Sequence, residues 1–365
     1  MHLTQLKLLS YRNFKTLSFI PHPRVNLIVG PNGSGKTNLL EAIYHLGTGK
    51  SFRSTLSNRI IQQGAETTHI YGVVEKPGFP FSIGVQRQRN SPTVLVLNQQ
   101  NVANAGSLAS LFPLRLINPD SFNLLIGGPK YRRHLLNWGT FHVEHQFWET
   151  WKLTTRILKQ RNAALKKGAK TLIKSWDKQL EHYALALLTM NQHYYCLFEP
   201  IFLQLIKEFL PKIQNLSLRY FPGWDIAQPL SEILEVNYPK DQQRGRTHAG
   251  PHRADLKIKV ANIPAKDILS RGQQKLVACA LLLAQGILLK QHLGIHCAYL
   301  LDDLAAELDQ SNLKRVCNLL YDIEAQLFIS SLEQNAVFHT LFPPNAMKVF
   351  HVEHFHESPS LTPPS

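Results

Sequence analysis

The 365-residue chain predicts an α/β fold: a twisted mixed sheet around a phosphate-binding loop, with a helical lobe inserted into it. Three observations predict it. Gly30-Pro31-Asn32-Gly33-Ser34-Gly35-Lys36-Thr37 is a complete G-x-x-x-x-G-K-T run. A second apolar run from position 296 ends in Leu300-Leu301-Asp302-Asp303. Between the two lie long segments with helical periodicity.

The elements follow in order. Residues 25–29 are mostly apolar and read as a buried strand, and 38–46 read as a helix, so the glycine-rich run sits between strand and helix. Residues 70–74, 81–85 and 93–97 read as strands of a largely antiparallel region, with turns at Pro77-Gly78 and 90–92. Phe147, Trp151, Thr154, Leu158, Arg161 and Leu165 step by four and three, as do Trp176, Leu180, Tyr183, Leu187, Met190 and Tyr194. These predict two amphipathic helices joined through Lys166-Lys167-Gly168, with their aromatic stripes packed inward. A polar, strand-poor stretch with Pro211, Pro222, Pro229 and Pro239 leads to a third region near Thr247. A long apolar helix is expected over 275–289, a strand over 326–331, and a disordered tail from 357. The expected division is a discontinuous first lobe, 1–115 with 290–365, and a helical second lobe, 116–289.

The loop motif implies nucleoside triphosphate binding. Glycines let the backbone wrap phosphates with its N–H groups at a positive helix end. Lys36 is expected to reach the β- and γ-phosphates, and the Thr37 hydroxyl to ligate Mg²⁺. An acid at the end of a buried strand is where such ATPases place a Mg²⁺-binding carboxylate, so Asp302 is assigned that role. Asp303 is placed to orient or deprotonate the attacking water. It is one methylene shorter than the glutamate many related ATPases carry there, so hydrolysis is expected to be slow. Ser270-Arg271-Gly272-Gln273 opens the apolar helix and forms a second anion site, with Ser270, Gly272 and Gln273 as ligands. Asp309 follows in Glu307-Leu308-Asp309.

Charge points to a polyanionic partner. Lys and Arg number 40 against 25 Asp and Glu, for a net charge of +15. Residues 151–180 carry nine Lys/Arg (152, 156, 159, 161, 166, 167, 170, 174, 178) against one acid, Asp177. That local stripe favours DNA over a generic basic surface. The four cysteines are scattered without a C-x-x-C pair, and three lie in apolar surroundings as expected of reduced core thiols. The start lacks a signal peptide's apolar core, and the longest apolar stretch, 276–289, is broken by Gln285 and Gly286, short of the roughly 20 residues of a membrane span. Both absences point to the cytoplasm. His142 and His145, in a Phe-His-Val-Glu-His run repeated at 350–354, lack a third ligand and read as hydrogen-bonded or solvated rather than metal-binding. Arg132, Arg133 and Arg253 are left open among DNA contact, nucleotide contact and pairing with acids, and Arg12 and Asn13 are placed beside the adenine.

The order of these motifs resembles the ABC-type ATPases, in which a signature loop of one subunit completes the γ-phosphate site of another. Within that class the chain resembles the RecF family of bacterial recombination mediators. The resemblance covers nearly the full length. It rests on Tyr11-Arg12-Asn13-Phe14, the loop at 30–37, Gly49-Lys50-Ser51-Phe52-Arg53, Pro119-Asp120, Gly128-Pro129 with Arg132-Arg133, Gly250-Pro251-His252-Arg253, Ser270 to Lys275, and Leu301-Asp302-Asp303. Ala254 stands where the family usually carries an acid, Asn137 where an Asp is common, and no switch histidine follows 326–331. The resemblance implies an ATP-dependent homodimer that clamps DNA at single-strand/double-strand junctions. It further implies RecR and RecO as partners, RecA loading in gap repair, an SOS role, and a weak ATPase used as a switch. Two rivals differ. A transporter-type motor needs a membrane partner and a shorter insert than that between positions 30 and 270, and a P-loop kinase has no use for a signature loop.

Overall fold

The computed structural model describes residues 1–76, 78–332, 336–352 and 361–362. Two compact units emerge, Met1–Ser121 with Leu289–Ser365, and Phe122–Leu288. The first boundary lies beyond position 115 because Leu114–Ile117 is a strand of the first unit's parallel sheet.

That sheet runs in the order 361–362, Met347–Val352, Val25–Val29, Leu327–Ser331, Ala298–Leu301, Leu114–Ile117, all parallel except the first. Its central strands are buried along their whole length, Val25–Val29, Ala298–Leu301 and Leu327–Ser331 alike. This is why they read as continuous apolar runs rather than alternating ones. A second, antiparallel sheet of the same unit has the order Phe14–Phe19, His2–Tyr11, Thr67–Lys76, Phe79–Gln88, Val94–Leu97, Gln100–Val102. The expected strands at 70–74 and 81–85 fall within it, and the one expected at 93–97 begins one residue later, at Val94. Gly78 is described at the hairpin turn, whereas Pro77 lies outside the described residues.

The helix after the loop, Lys36–Thr48, packs against both sheets. Leu39, Leu40, Ile43 and Leu46 are fully buried in one core with Leu6 and Leu8 of the antiparallel sheet and Leu300 and Phe328 of the parallel one. Burying such side chains contributes about 2 kcal/mol each, so the helix that starts at Lys36 is held in place by its own apolar face. It stops at Gly49, whose φ of 66° is the left-handed cap conformation.

The second unit is built on the helices Phe147–Lys167 and Lys170–Phe209. Gly168 joins them at φ 68°. The second helix runs through Pro200 and reaches 40 residues. Leu180, Ala184, Leu187, Met190 and Tyr194 are buried on it, so the stripe packs inward. This lobe is not purely helical. Leu216–Phe221, Asp255–Val260 and Ile263–Pro264 form a three-stranded antiparallel sheet. The first of these lies in the stretch read as strand-poor, because six residues between prolines give too short an alternation to stand out.

Two further readings change. The helix Arg271–Leu293 spans 23 residues and is long and apolar enough, by length and composition alone, to cross a membrane. The stretch 276–289 is therefore not limited by its polar interruptions as expected. Its apolar window is 78% buried, as in a core helix, and Gln285 donates to Leu135 O and Tyr194 Oη, both at 2.8 Å. The basic stripe also loses a member. Arg161 is fully buried and holds Asp177 and Asp241, while the remaining eight cations are exposed. Most of the tail from 357 lies outside the described residues.

Candidate functional site

The parallel sheet brings the loop and the acidic strand end together. Val29 pairs with Ser331 across one ladder, and Leu301 with Ile329 across the next. The loop and Asp302 therefore leave the same edge, two strands apart, with Ser330 on the strand between them. The carboxyl edge of a parallel sheet is where α/β folds place their ligands.

Loop geometry explains its glycines. Gly33 has φ 81° and Gly35 φ 112°. A Cβ on Gly35 would sit 2.5 Å from Asn13 Nδ2, so both conformation and packing exclude a side chain. Lys36 donates to Gly30 O at 2.7 Å and Pro31 O at 2.9 Å. Its pKa is lowered by burial, against the opposing pull of Asp303 and Asp302. The Ser34 hydroxyl is buried with no hydrogen-bond partner among the described residues.

Thr37 Oγ1 donates to Asp302 Oδ1 at 3.0 Å, and Ser330 Oγ donates to the same oxygen at 2.9 Å. Burial raises the Asp302 pKa, opposed by those two hydroxyls. Asp303 adopts φ 52°, an uncommon conformation that Asp tolerates, and its N–H donates to Ser330 Oγ at 2.9 Å. Its side chain is left exposed. Ser330 was not singled out in the sequence. It orders both acids at once, and only the parallel register reveals it.

A polar network backs the loop. Asn13 Nδ2 donates to Ser34 O at 3.1 Å, Asn38 Nδ2 to Asn13 Oδ1 at 2.7 Å, and Arg53 Nη1 to Asn38 Oδ1 at 2.6 Å. Glu41 accepts from Arg12 and from the Ser51 hydroxyl. Arg12 is thus committed to Glu41 and to Arg59 O at 2.8 Å, and Asn13 to the loop backbone. Glu41 gave no signal of its own, lying in a helix read only for its apolar face.

In the second unit, Ser270 and Gln273 engage each other. Ser270 N–H donates to Gln273 Oε1 at 2.8 Å and Gln273 N–H to Ser270 Oγ at 3.4 Å, a capping box at the start of the apolar helix. Gly272 is exposed, and a Cβ there would meet nothing within 4 Å. Asp309 is the N-cap of Gln310–Asp322, accepting from Asn312 N at 2.9 Å. Arg132 grips Asp255 through Nε at 2.8 Å and Nη2 at 3.1 Å. Arg133 donates to Ala254 O at 2.9 Å. Among the described residues no group of three His, Cys, Asp or Glu could hold a metal ion, and His354 lies outside them.

The RecF/RecN/SMC N terminal domain matches residues 2–357. The DNA replication and repair protein RecF of Shewanella amazonensis is 42% identical over 355 residues, 97% of this chain and 98% of that protein. The protein of that name from Vibrio vulnificus is 41% identical over 356 residues, with the same shares covered. Among solved structures, the recombination mediator RecF bound to ATP in the RecFOR pathway superposes with TM-score 0.84 at 23% identity, over 96% of this chain and 95% of that one. The Smc head domain of Pyrococcus furiosus gives 0.61 at 16%, over 100% and 96%. The fold is that of the ABC-type ATPase heads, and the chain belongs to the RecF family.

Proposed function

We propose that this chain is an ATP-dependent DNA-binding protein of recombinational repair and replication restart, acting as an ATP-driven homodimer. The observation that carries the reading is the convergence of Thr37, Asp302 and Ser330 beside Lys36. The loop N–H groups and Lys36 would hold the β- and γ-phosphates, and the orphan Ser34 hydroxyl fits a phosphate oxygen. Thr37 and Asp302 offer the hard oxygen donors that suit Mg²⁺. The ion would neutralise charge on the terminal phosphates. Asp303 would orient or deprotonate water, slowly, so that hydrolysis serves as a switch.

Ser270, Gly272 and Gln273 would complete the γ-phosphate site of a second copy. The exposed Gly272 supports this, since no atom of the described residues crowds a Cβ there. ATP binding and dimerisation would then be linked, because a ligand held from both sides favours the paired state. The exposed cations over 152–178 would contact DNA mainly through its backbone, giving salt-sensitive binding. Relatives named for DNA replication and repair, and a mediator of the RecFOR pathway among the structural neighbours, support gap and junction binding. They also support RecR and RecO as partners, RecA loading and SOS induction, in the cytoplasm.

Light scattering with ATP and Mg²⁺, with and without a gapped duplex, tests this. Wild type should dimerise only with ATP, and DNA binding should rise with it. Ser270→Arg should still bind ATP yet remain monomeric. Equal DNA binding by monomers with and without ATP would remove the clamp.

A further inference from the structure

We propose that a small cavity in the second unit is a docking site for an acidic protein segment carrying an apolar side chain. The cavity encloses about 240 Å³. Leu125, Ile258 and Pro264 supply its apolar lining, and Lys257, Lys259 and Lys266 its charge. Arg132 and Asp255 also line it, but they are paired with each other, and the guanidinium further donates to Gly127 O at 2.9 Å, so the lysines remain the unbalanced charge. The three lysines form no ion pair among the described residues.

The surface is unbalanced. Lys257 stands directly opposite Arg219 in the Asp255–Val260 and Leu216–Phe221 ladder. Like charges in that position destabilise a sheet. Lys257 lies 4.3 Å from the Phe221 ring centroid, partial relief for one of the two charges. The elements lining the cavity also leave Ile263 50% and Ile268 45% exposed. Cations without counterions beside uncovered apolar side chains mark a surface that expects a partner.

Charge and shape select the partner. The volume falls below the ~300–1,000 Å³ of small-molecule pockets and suits an anchoring side chain. A phosphodiester backbone has no apolar group to place against Leu125 and Pro264. A second copy of this chain is a poor source of acid, with 25 acidic against 40 basic residues. A segment with carboxylates flanking a leucine or phenylalanine satisfies both halves of the site.

The test is fluorescence anisotropy of a fluorescein-labelled peptide of three Asp-Glu repeats ending in Leu-Leu, against the full chain. The expected result is saturable binding that weakens tens-fold in Lys257→Glu/Lys259→Glu and about tenfold when Leu-Leu becomes Ser-Ser. Lys15→Glu/Lys314→Glu, exposed lysines of the first unit, should leave it unchanged. Circular dichroism and nucleotide affinity should match wild type in both double variants. The proposal is overturned if the Ser-Ser peptide binds equally well, or if the 257/259 variant binds like wild type. It is also overturned if gapped duplex displaces the peptide and cross-links to Lys257, which makes the face a nucleic-acid site. Loss of ATP-dependent self-association in that variant would make it a subunit interface instead.

Discussion

Arg12 donates from Nε and Nη2 to both carboxylate oxygens of Glu41, at 2.8 and 2.6 Å, and Glu41 is fully buried. The pair ties the turn after the first strand to the helix that begins at the phosphate-binding loop. The Ser51 hydroxyl completes the shell around Glu41 and fixes the segment leading to Arg53.

Removing one partner should therefore be worse than removing both. Arg12→Ala leaves a buried carboxylate without its cation, and such breaks cost about 3–5 kcal/mol. Arg12→Met with Glu41→Leu should recover much of that loss. Urea unfolding at pH 7.5 measures both, and a single variant that loses under about 1 kcal/mol would show the pair to be solvated.

Lys36→Ala should weaken ATP binding by one to two orders of magnitude, the usual worth of hydrogen bonds from a charged group of about 1.5–3 kcal/mol. Asp302→Asn should leave nucleotide affinity closer to wild type in EDTA than in Mg²⁺, since its role is at the ion. Titration with a fluorescent ATP analogue, with and without Mg²⁺, distinguishes the two. An Asp302→Asn variant whose affinity responds to Mg²⁺ as wild type does would refute the assignment.

Gly272→Ala separates stability from assembly. The position is open and lies in the first turn of a helix, where alanine is favoured over glycine by about 0.5–1 kcal/mol. The melting temperature should hold or rise while ATP-dependent self-association falls. A variant that melts earlier would mean the glycine serves the chain's own fold.

The sequence shows some of this site and hides the rest for a physical reason. The loop at 30–37 and Asp302 are legible because phosphate wrapping and carboxylate placement restrict residue type at fixed spacing. Glu41, Ser330 and Asn38 are not, because their roles arise from register and helix face across positions far apart in the chain. Arg161 shows the converse failure. It lies in a run of cations, and composition cannot reveal that helical phase turns it inward onto Asp177 and Asp241. The Leu216–Phe221 strand is similarly set by its partner at Asp255–Val260 more than by its own six residues.

His45 should make the first unit acid-sensitive. Its ring is buried against Tyr11, with Nδ1 unpartnered among the described residues. Burial pushes its pKa down to about 4, against an unfolded value of 6.5. Between those values the unfolded chain binds a proton that the folded chain does not, so stability falls as pH drops through that window. One such group removes about 2 kcal/mol by pH 5. His252, also pushed down to about 4 by burial, acts in the same direction in the second unit. Asp302 acts oppositely: its raised pKa gives stability that is present at low pH and lost as pH rises through the folded value. Comparing wild type with His45→Leu cancels both contributions. The variant should lie within about 1 kcal/mol of wild type at pH 7.5 if leucine fills the site, and gain about 2 kcal/mol relative to it on going to pH 5. Parallel pH profiles for the two proteins, followed by urea midpoints, would mean that the ring is protonated in the folded state and that its burial is relieved by solvent.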